Sequence, residues 1–512
     1  MSSSYLLGVD IGTYSSKGVL VDIQGNVIAS HIIQHKMSMP KAGHFEHDAD
    51  EIWWHDFVVI CKNILATSKI DPNNILGIGT SGIGACVLPI DKEGKPLRPA
   101  ILYGIDTRAT QEIDQLNQYI GEENIYVKNG SYLSSQACGP KMLWIRNHEP
   151  EVFKRTHKFL TSEAYLVFKL TGKFSIDILT ASDYNPFFDL EKKEWIKEYC
   201  ELAAPTETLP ELYWSCDVVS KVTQEAARIT GLSEGTPVIA GTTDSPAEAI
   251  SAGLALDGDL MIMFGSSVFF ILKTSKLART KKFWFSNDLE PGSFAFQGGM
   301  STAGSLTHWF REQFGQPEVK QEKATGVNAY AALAELAASS PPGANGLIAL
   351  PYFEGERTPI HDPYARGAFF GLSLKHTRAD MLRALLESVA FGIRHNLETM
   401  HAEGIHAKRI LAVGGGTKNK PWMQAVCDAA SIEMFIPEQQ IGASYGDAFM
   451  AGVGIGTFSD LSEVSAWVNY KDIIKPDPKT KAIYDRNYMI YRKLYEQSVH
   501  LMHQLNSRKT RE

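Results

Sequence analysis

The chain has 512 residues, 50 Lys and Arg against 58 Asp and Glu, and a formal net charge of -8, with 44% hydrophobic and 21% charged residues. That length supports two or three domains, each burying its own core, and the composition is that of an ordinary globular protein. Basic residues cluster only in Lys281-Lys282 and in Ser507-Arg-Lys-Thr-Arg-Glu512, short runs that read as solvated surface and exclude nucleic acid as the main partner.

Met1-Ser-Ser-Ser4 leads directly into a strand, and no run of eighteen apolar residues exists, so the expectation is a protein with neither signal peptide nor membrane span. The six cysteines, Cys61, Cys86, Cys138, Cys200, Cys216 and Cys427, are scattered without metal-ligand spacing. They read as reduced packing thiols, and the expected location is cytoplasmic.

Residues 5 to 22 read as a strand, a Gly/Thr/Ser turn and a second strand. The first apolar run ends in Asp10. Gly12 lets backbone bend close to a ligand, and Thr13, Ser15, Ser16 and Lys17 supply hydroxyl, amide and ammonium donors for a phosphate. The Walker arrangement is absent, because Gly18-Val19-Leu20-Val21 continues as strand where that motif needs a helix. A meander with phosphate donors on its first turn resembles the actin, hexokinase and sugar-kinase superfamily. Further on, Gly77, Gly79 and Gly82 match the glycine spacing of a dinucleotide loop, but Ala85 to Asp91 reads as strand and hairpin rather than the required helix.

Gly235 to Gly241 reads as a strand, and Asp244 falls between its end and a helix for which Ser245 is the expected N-cap and Pro246 the first helical residue. A carboxylate there is expected as the anion, either as a cap or as the acceptor that orients a substrate hydroxyl toward a γ-phosphate. Asp257 to Leu272 repeats the opening pattern, with Gly265-Ser266-Ser267 at its turn, which predicts two related halves with a boundary near residue 250. Ala337 to Asn345 ends a helix and forms a loop. Arg409 to Gln424 reads as a strand ending in Gly414-Gly415-Gly416, then a helix starting near Pro421; the glycines clear space for adenine or ribose against backbone. In the tail, Tyr484, Tyr488, Tyr491, Tyr495, Val499 and Met502 share one helical face, expected to pack rather than to bind.

In this order the segments resemble the FGGY carbohydrate kinases from about residue 5 to about residue 457. Tyr352-Phe-Glu-Gly-Glu-Arg-Thr-Pro359, Arg366 to Leu372, Pro140-Lys-Met-Leu-Trp144, Leu170-Thr-Gly172 and Phe188-Asp189 with Trp195 are further matches. The resemblance implies an α/β chain of two actin/hexokinase-like (ribonuclease H-like) lobes facing across a central cleft. It implies a sugar-binding lobe over residues 1–248, a nucleotide-binding lobe over 249–475 and a packing helix over 476–512. It implies ATP-dependent phosphorylation of a sugar hydroxyl, with Asp244 catalytic, Mg2+ at Asp10, and a homodimer as the assembly it allows. Gly12, Thr13, Ser15, Lys17, Gly265, Ser266, Ser267, Gly304, Gly414, Gly415, Gly416 and Asn419 are implied to contact the nucleotide. Ser81, Gly82, Tyr103, Asp106, Arg108 and Asp244 are implied to contact the sugar, Asp106 and Arg108 as acceptor and donor for vicinal hydroxyls and Tyr103 as cover for an apolar face.

Gly82-Ile83-Gly84 carries neither the Met-His-Gly common in xylulose kinases nor the Arg-Glu of glycerol kinases. The expected acceptor is a ketopentose such as xylulose, with a polyol, hexulose or aldonate as the alternatives. A switch ATPase of the same fold is the remote one.

Overall fold

The computed structural model describes residues 4–84, 86–439 and 441–507. The basic run expected at 507–512 lies almost wholly outside them. The chain divides into two compact units: residues 1–255, 285–295 and 441–468 form the first, and residues 256–284, 296–440 and 469–512 the second.

In the first unit the opening hairpin forms as expected. Tyr5–Ile11 pairs antiparallel with Ser15–Asp22 from Tyr5↔Asp22 to Ile11↔Ser16, and Val27–Gln34 continues the meander. Leu6, Leu7, Val9 and Ile11 are almost wholly buried, as an apolar strand within a sheet requires. Tyr5–Ile11 also pairs parallel with Ile75–Gly82, which pairs parallel with Pro237–Ile239 and Thr242–Thr243. The Asp10↔Ser81 and Ser81↔Thr242 registers therefore align the carboxyl ends of three neighbouring strands, where ligands bind in open α/β sheets. Leu88–Ile90 is a strand followed by a turn, so the dinucleotide-loop alternative lacks its helix.

The second unit repeats this connectivity. Asp259–Phe264 pairs antiparallel with Val268–Thr274 and parallel with Arg409–Val413, which pairs parallel with Met434–Pro437. The tail helix Lys481–Ser507 belongs to this unit, and its stripe packs as expected: Tyr484, Tyr488 and Tyr491 are buried, and the Tyr491 and Tyr352 hydroxyls lie 2.7 Å apart.

The sequence reading assigns residues 249–475 to one nucleotide-binding lobe. The helix Ala443–Gly454 packs within the first unit, against Tyr5–Ile11, Ile75–Gly82 and the helix Asp244–Ser251. Glycine makes the approach close: a Cβ on Gly8 would lie 1.9 Å from the Ser444 carbonyl oxygen, and one on Gly79 2.1 Å from that of Asp447. Nothing local in residues 441–468 signals this pairing, since the complementary surface comes from residues 5–11, 75–82 and 244–251.

Candidate active site

Asp10 ends the first strand half-buried, and Asp244 opens the helix Asp244–Ser251, also half-buried. The helix starts two residues earlier than the Ser245-Pro246 pair suggested. Thr243 is the N-cap, extended at φ -77 and ψ 164, so Asp244 is its first residue. Burial raises the Asp244 pKa, and the Ser245 hydroxyl, donating to Asp244 Oδ1 at 3.1 Å, only partly opposes it.

Asp10 is pushed up to about 8, first by burial and then by the charges of Asp244 and Glu248, with Lys17 and Ser81 opposing. Glu248 is pushed up to about 7 by burial and by Asp244. Beneath them, Asp447 on the helix Ala443–Gly454 is wholly buried, held well above the usual carboxylate range by burial and by Asp10. Four carboxyl groups thus share one electrostatic neighbourhood in which Lys17 is the cation acting on Asp10 and Glu248. Sequence reading missed Asp447 and Glu248.

Ser81 does not point free toward a ligand: its hydroxyl donates to Asp447 Oδ2 at 2.7 Å and lies 3.3 Å from Asp10 Oδ1. Gly82 is filled from the side, since a Cβ there would lie 2.3 Å from Ser162 Oγ. Asp106 and Arg108 do not present free donors and acceptors either. Their side chains are 0% and 1% exposed and form a forked pair, Arg108 Nε at 2.9 Å and Nη2 at 2.7 Å from the Asp106 oxygens. Asp106 also accepts from the Phe45 and Arg108 amides, and Arg108 reaches Glu46 and stacks over Trp144. The pair braces the Tyr103 segment. Tyr103 itself remains half-buried, its hydroxyl 3.5 Å from Thr13 Oγ1.

On the first turn, the Gly12 amide donates to the Ser15 carbonyl at 3.0 Å. In the second unit, a cavity of about 850 Å³ collects Gly265, Ser266, Gly304, Gly415, Gly416 and Asn419 from the sequence-derived set. Ser267 and Gly414 are not among its lining residues; Gly414 serves the turn itself, at φ 90. Asn419 Oδ1 caps the helix Lys420–Ala430 by accepting from the Trp422 amide at 3.1 Å. Phe264, His308, Asn328, Tyr330 and Trp422 also line the cavity and were not anticipated, because they come from a strand core and helix faces without a glycine motif.

Two family models cover this chain: the N-terminal domain of the FGGY family of carbohydrate kinases matches residues 5–251, and the C-terminal domain residues 260–455. The chain belongs to the FGGY carbohydrate kinases. It is an ATP-dependent sugar kinase of the actin/hexokinase-like fold, acting on a small sugar.

The xylulose kinase of Lactococcus lactis subsp. lactis (strain IL1403) is 31% identical over 511 residues, 98% of each chain. The crystal structure of xylulose kinase from Rhodospirillum rubrum superposes with a TM-score of 0.90 at 31% identity, covering 98% of this chain and 100% of that one. A gluconate kinase structure from Lactobacillus acidophilus, at 24% identity, shares the fold alone, with a TM-score of 0.87 over 97% of this chain and 98% of its own. No helix among the described residues of this kinase is long and apolar enough to cross a membrane.

Proposed function

We propose that this kinase transfers the γ-phosphate of ATP to a hydroxyl of a ketopentose, xylulose foremost. The observation that carries the reading is the carboxyl set of Asp10, Asp244 and Glu248 gathered at the strand ends beside a glycine hairpin turn. Full-length similarity to proteins named xylulose kinase supports the choice of sugar.

In this reading Asp244 accepts the proton of the sugar hydroxyl and aims its oxygen at the phosphorus, a role that a carboxyl raised by burial performs better than a fully solvated one. Tyr103 covers a sugar face, and the Asp106–Arg108 pair fixes its segment. Ser81 and Gly82 form the wall behind the sugar. Gly12, Thr13, Ser15 and Lys17 are the phosphate donors of the first unit, and Gly265, Ser266 and Ser267 form the turn of the same kind within the second. The 850 Å³ cavity is of a size for a nucleoside, with Gly304, Gly414, Gly415, Gly416 and Asn419 at or near its border.

The residues fit a magnesium ion at Asp10. Burial and the charges of Asp244 and Glu248 push Asp10 up, so added positive charge is favoured there, and one carboxylate at a strand end suits an ion that takes few carboxylates plus phosphate oxygens and waters. The buried Asp447 Oδ1 also lacks a hydrogen-bond partner, so the neighbourhood favours added positive charge. When bound, magnesium neutralises phosphate charge during transfer.

The test is ADP release by the purified kinase with ATP against pentuloses, hexuloses, aldonates and polyols. The highest kcat/KM is expected with xylulose. Activity confined to aldonates or glycerol would refute the sugar assignment, and ATP turnover indifferent to every sugar would mark a switch ATPase.

A further inference from the structure

Beneath the first phosphate turn lies an aspartate–histidine pair to which no role has been given. The Ser15↔Gln34 pairing brings His35 beside the turn. Its backbone amide donates to the Tyr14 carbonyl at 3.0 Å, and its Nε2 lies 3.0 Å from the Gly12 carbonyl oxygen. A carbonyl can only accept, so Nε2 is the donor there. On the other side of the ring, Nδ1 lies 2.9 Å from Asp56 Oδ2, which also accepts from Ser16 Oγ at 2.7 Å. The His35 and Asp56 side chains are 8% and 4% exposed. Burial pushes the Asp56 pKa up, but hydrogen bonds from His35, Ser16 and His55 outweigh it and leave the carboxyl below its ordinary value.

The consequence lies in the peptide between Gly12 and Thr13. In a trans peptide the C=O and N–H point in opposite directions. Drawing the Gly12 carbonyl inward to His35 therefore turns the Thr13 N–H outward, and that N–H has no hydrogen-bond partner among the described residues. We infer that His35, fixed by Asp56, is a positioning residue for phosphoryl transfer: it presents the Thr13 N–H to a nucleotide phosphate and withdraws the Gly12 carbonyl from it. Without the clamp the peptide is free to rotate, and an outward carbonyl would set a negative dipole end against phosphate oxygens, the reverse of a preorganised anion site. This inference rests on the proposed reading of the turn as a phosphate grip.

The experiment compares the full chain with His35→Phe, His35→Gln and Asp56→Asn. Steady-state kcat and KM for ATP are measured with the best sugar, together with calorimetric affinities for adenosine and for a non-hydrolysable ATP analogue. His35→Phe removes the ring donor to the Gly12 carbonyl and the ring contact to Asp56, and is expected to lower kcat/KM for ATP at least tenfold and to weaken the analogue, while adenosine affinity stays within twofold. His35→Gln keeps one donor and is expected to recover most of the loss; Asp56→Asn falls between. Should the Phe variant fail to fold, the Gln and Asn variants carry the same comparison. A folded Phe variant with kcat/KM within twofold of the parent overturns the clamp alone, as does equal loss of adenosine and analogue binding. A parent protein that binds the analogue no more tightly than adenosine overturns the phosphate reading of the turn, and the clamp with it.

Discussion

In the first hairpin two turn carbonyls are taken up by one residue, His35, whose ring meets Gly12 and whose amide meets Tyr14. In the second they are taken up by the start of a helix. Gly304 N donates to the Gly265 carbonyl at 3.0 Å, while the Ala303 and Ser305 amides and the Ser305 hydroxyl donate to that of Ser266 at 2.9, 3.0 and 2.9 Å. Both arrangements turn carbonyls away and leave amides outward, yet they constrain the sequence differently. A ring clamp needs an orienting partner and a donor of the right reach. A helix-start clamp needs an absent side chain, because a Cβ on Gly304 would lie 2.5 Å from the Gly265 carbonyl oxygen.

The largest expected effect separates holding phosphate from moving it. Asp244→Asn removes the proposed proton acceptor and leaves both turns intact, so kcat is expected to fall about a thousandfold, within the range for loss of a general base. Affinity for a non-hydrolysable ATP analogue should stay within twofold by calorimetry. Near-parental turnover would remove Asp244 from its role. Next comes the backbone clamp itself. Gly304→Ala forces the second turn to shift, an overpacking expected to cost about 1–3 kcal/mol, and kcat/KM for ATP should fall at least tenfold. If steady-state kinetics show no change, the second turn tolerates displacement and the parallel between the hairpins fails.

How much of this was legible in the sequence follows from where each determinant lies. Both hairpins, the strand before Asp244 and the helix after Gly416 are written in contiguous residues, a glycine or serine turn between β-branched runs, and all form as read. The helix start at Asp244 was misread by two residues because Thr243 caps it by backbone conformation, without a side-chain hydrogen bond. Asp106 and Arg108 were found, but their sealed pairing depends on Glu46 and Phe45, some sixty residues earlier. Asp447 lies 366 positions from the serine it holds, and no local pattern marks it. The lining of the second unit's cavity by Asn328 and Tyr330 is hidden for the same reason.

A second histidine packs behind the clamp of the first hairpin. His47 packs its ring edge-on to His35 at 5.2 Å, is wholly buried, and accepts from Trp53 Nε1 at 3.2 Å. Burial, then the charge of His35, pushes its pKa down to about 4. The unfolded chain takes up this proton near pH 6.5, the folded one only near 4. Between those values the unfolded state binds more protons, so stability falls as pH drops from 6.5 toward 4. The loss due to His47 from pH 7 to pH 5 is on the order of 2 kcal/mol. His47→Gln retains an acceptor for Trp53 without titrating, so the difference between its urea midpoints at the two pH values should shrink relative to the parent. An unchanged difference would place the acid sensitivity elsewhere.

The smallest effect concerns Ser81, and it decides between two uses of one hydroxyl. Ser81 has a single proton to give, and the 2.7 Å contact to Asp447 is the shorter of its two carboxyl contacts. Asp447 thus takes the donor, and Asp10 keeps only the longer contact, which leaves it freer for the magnesium proposed there. Ser81→Ala should then cost stability, about 1–3 kcal/mol for a buried carboxyl left without its donor, and change KM for the sugar by less than about threefold, since no sugar contact is lost. Thermal melts and sugar titrations at saturating ATP measure the two quantities separately. A large rise in sugar KM with little change in melting would mean that the hydroxyl leaves Asp447 for the substrate when sugar binds. The wall of the first unit would then be rearranged by its ligand, whereas the second turn, held by backbone, would remain as it stands.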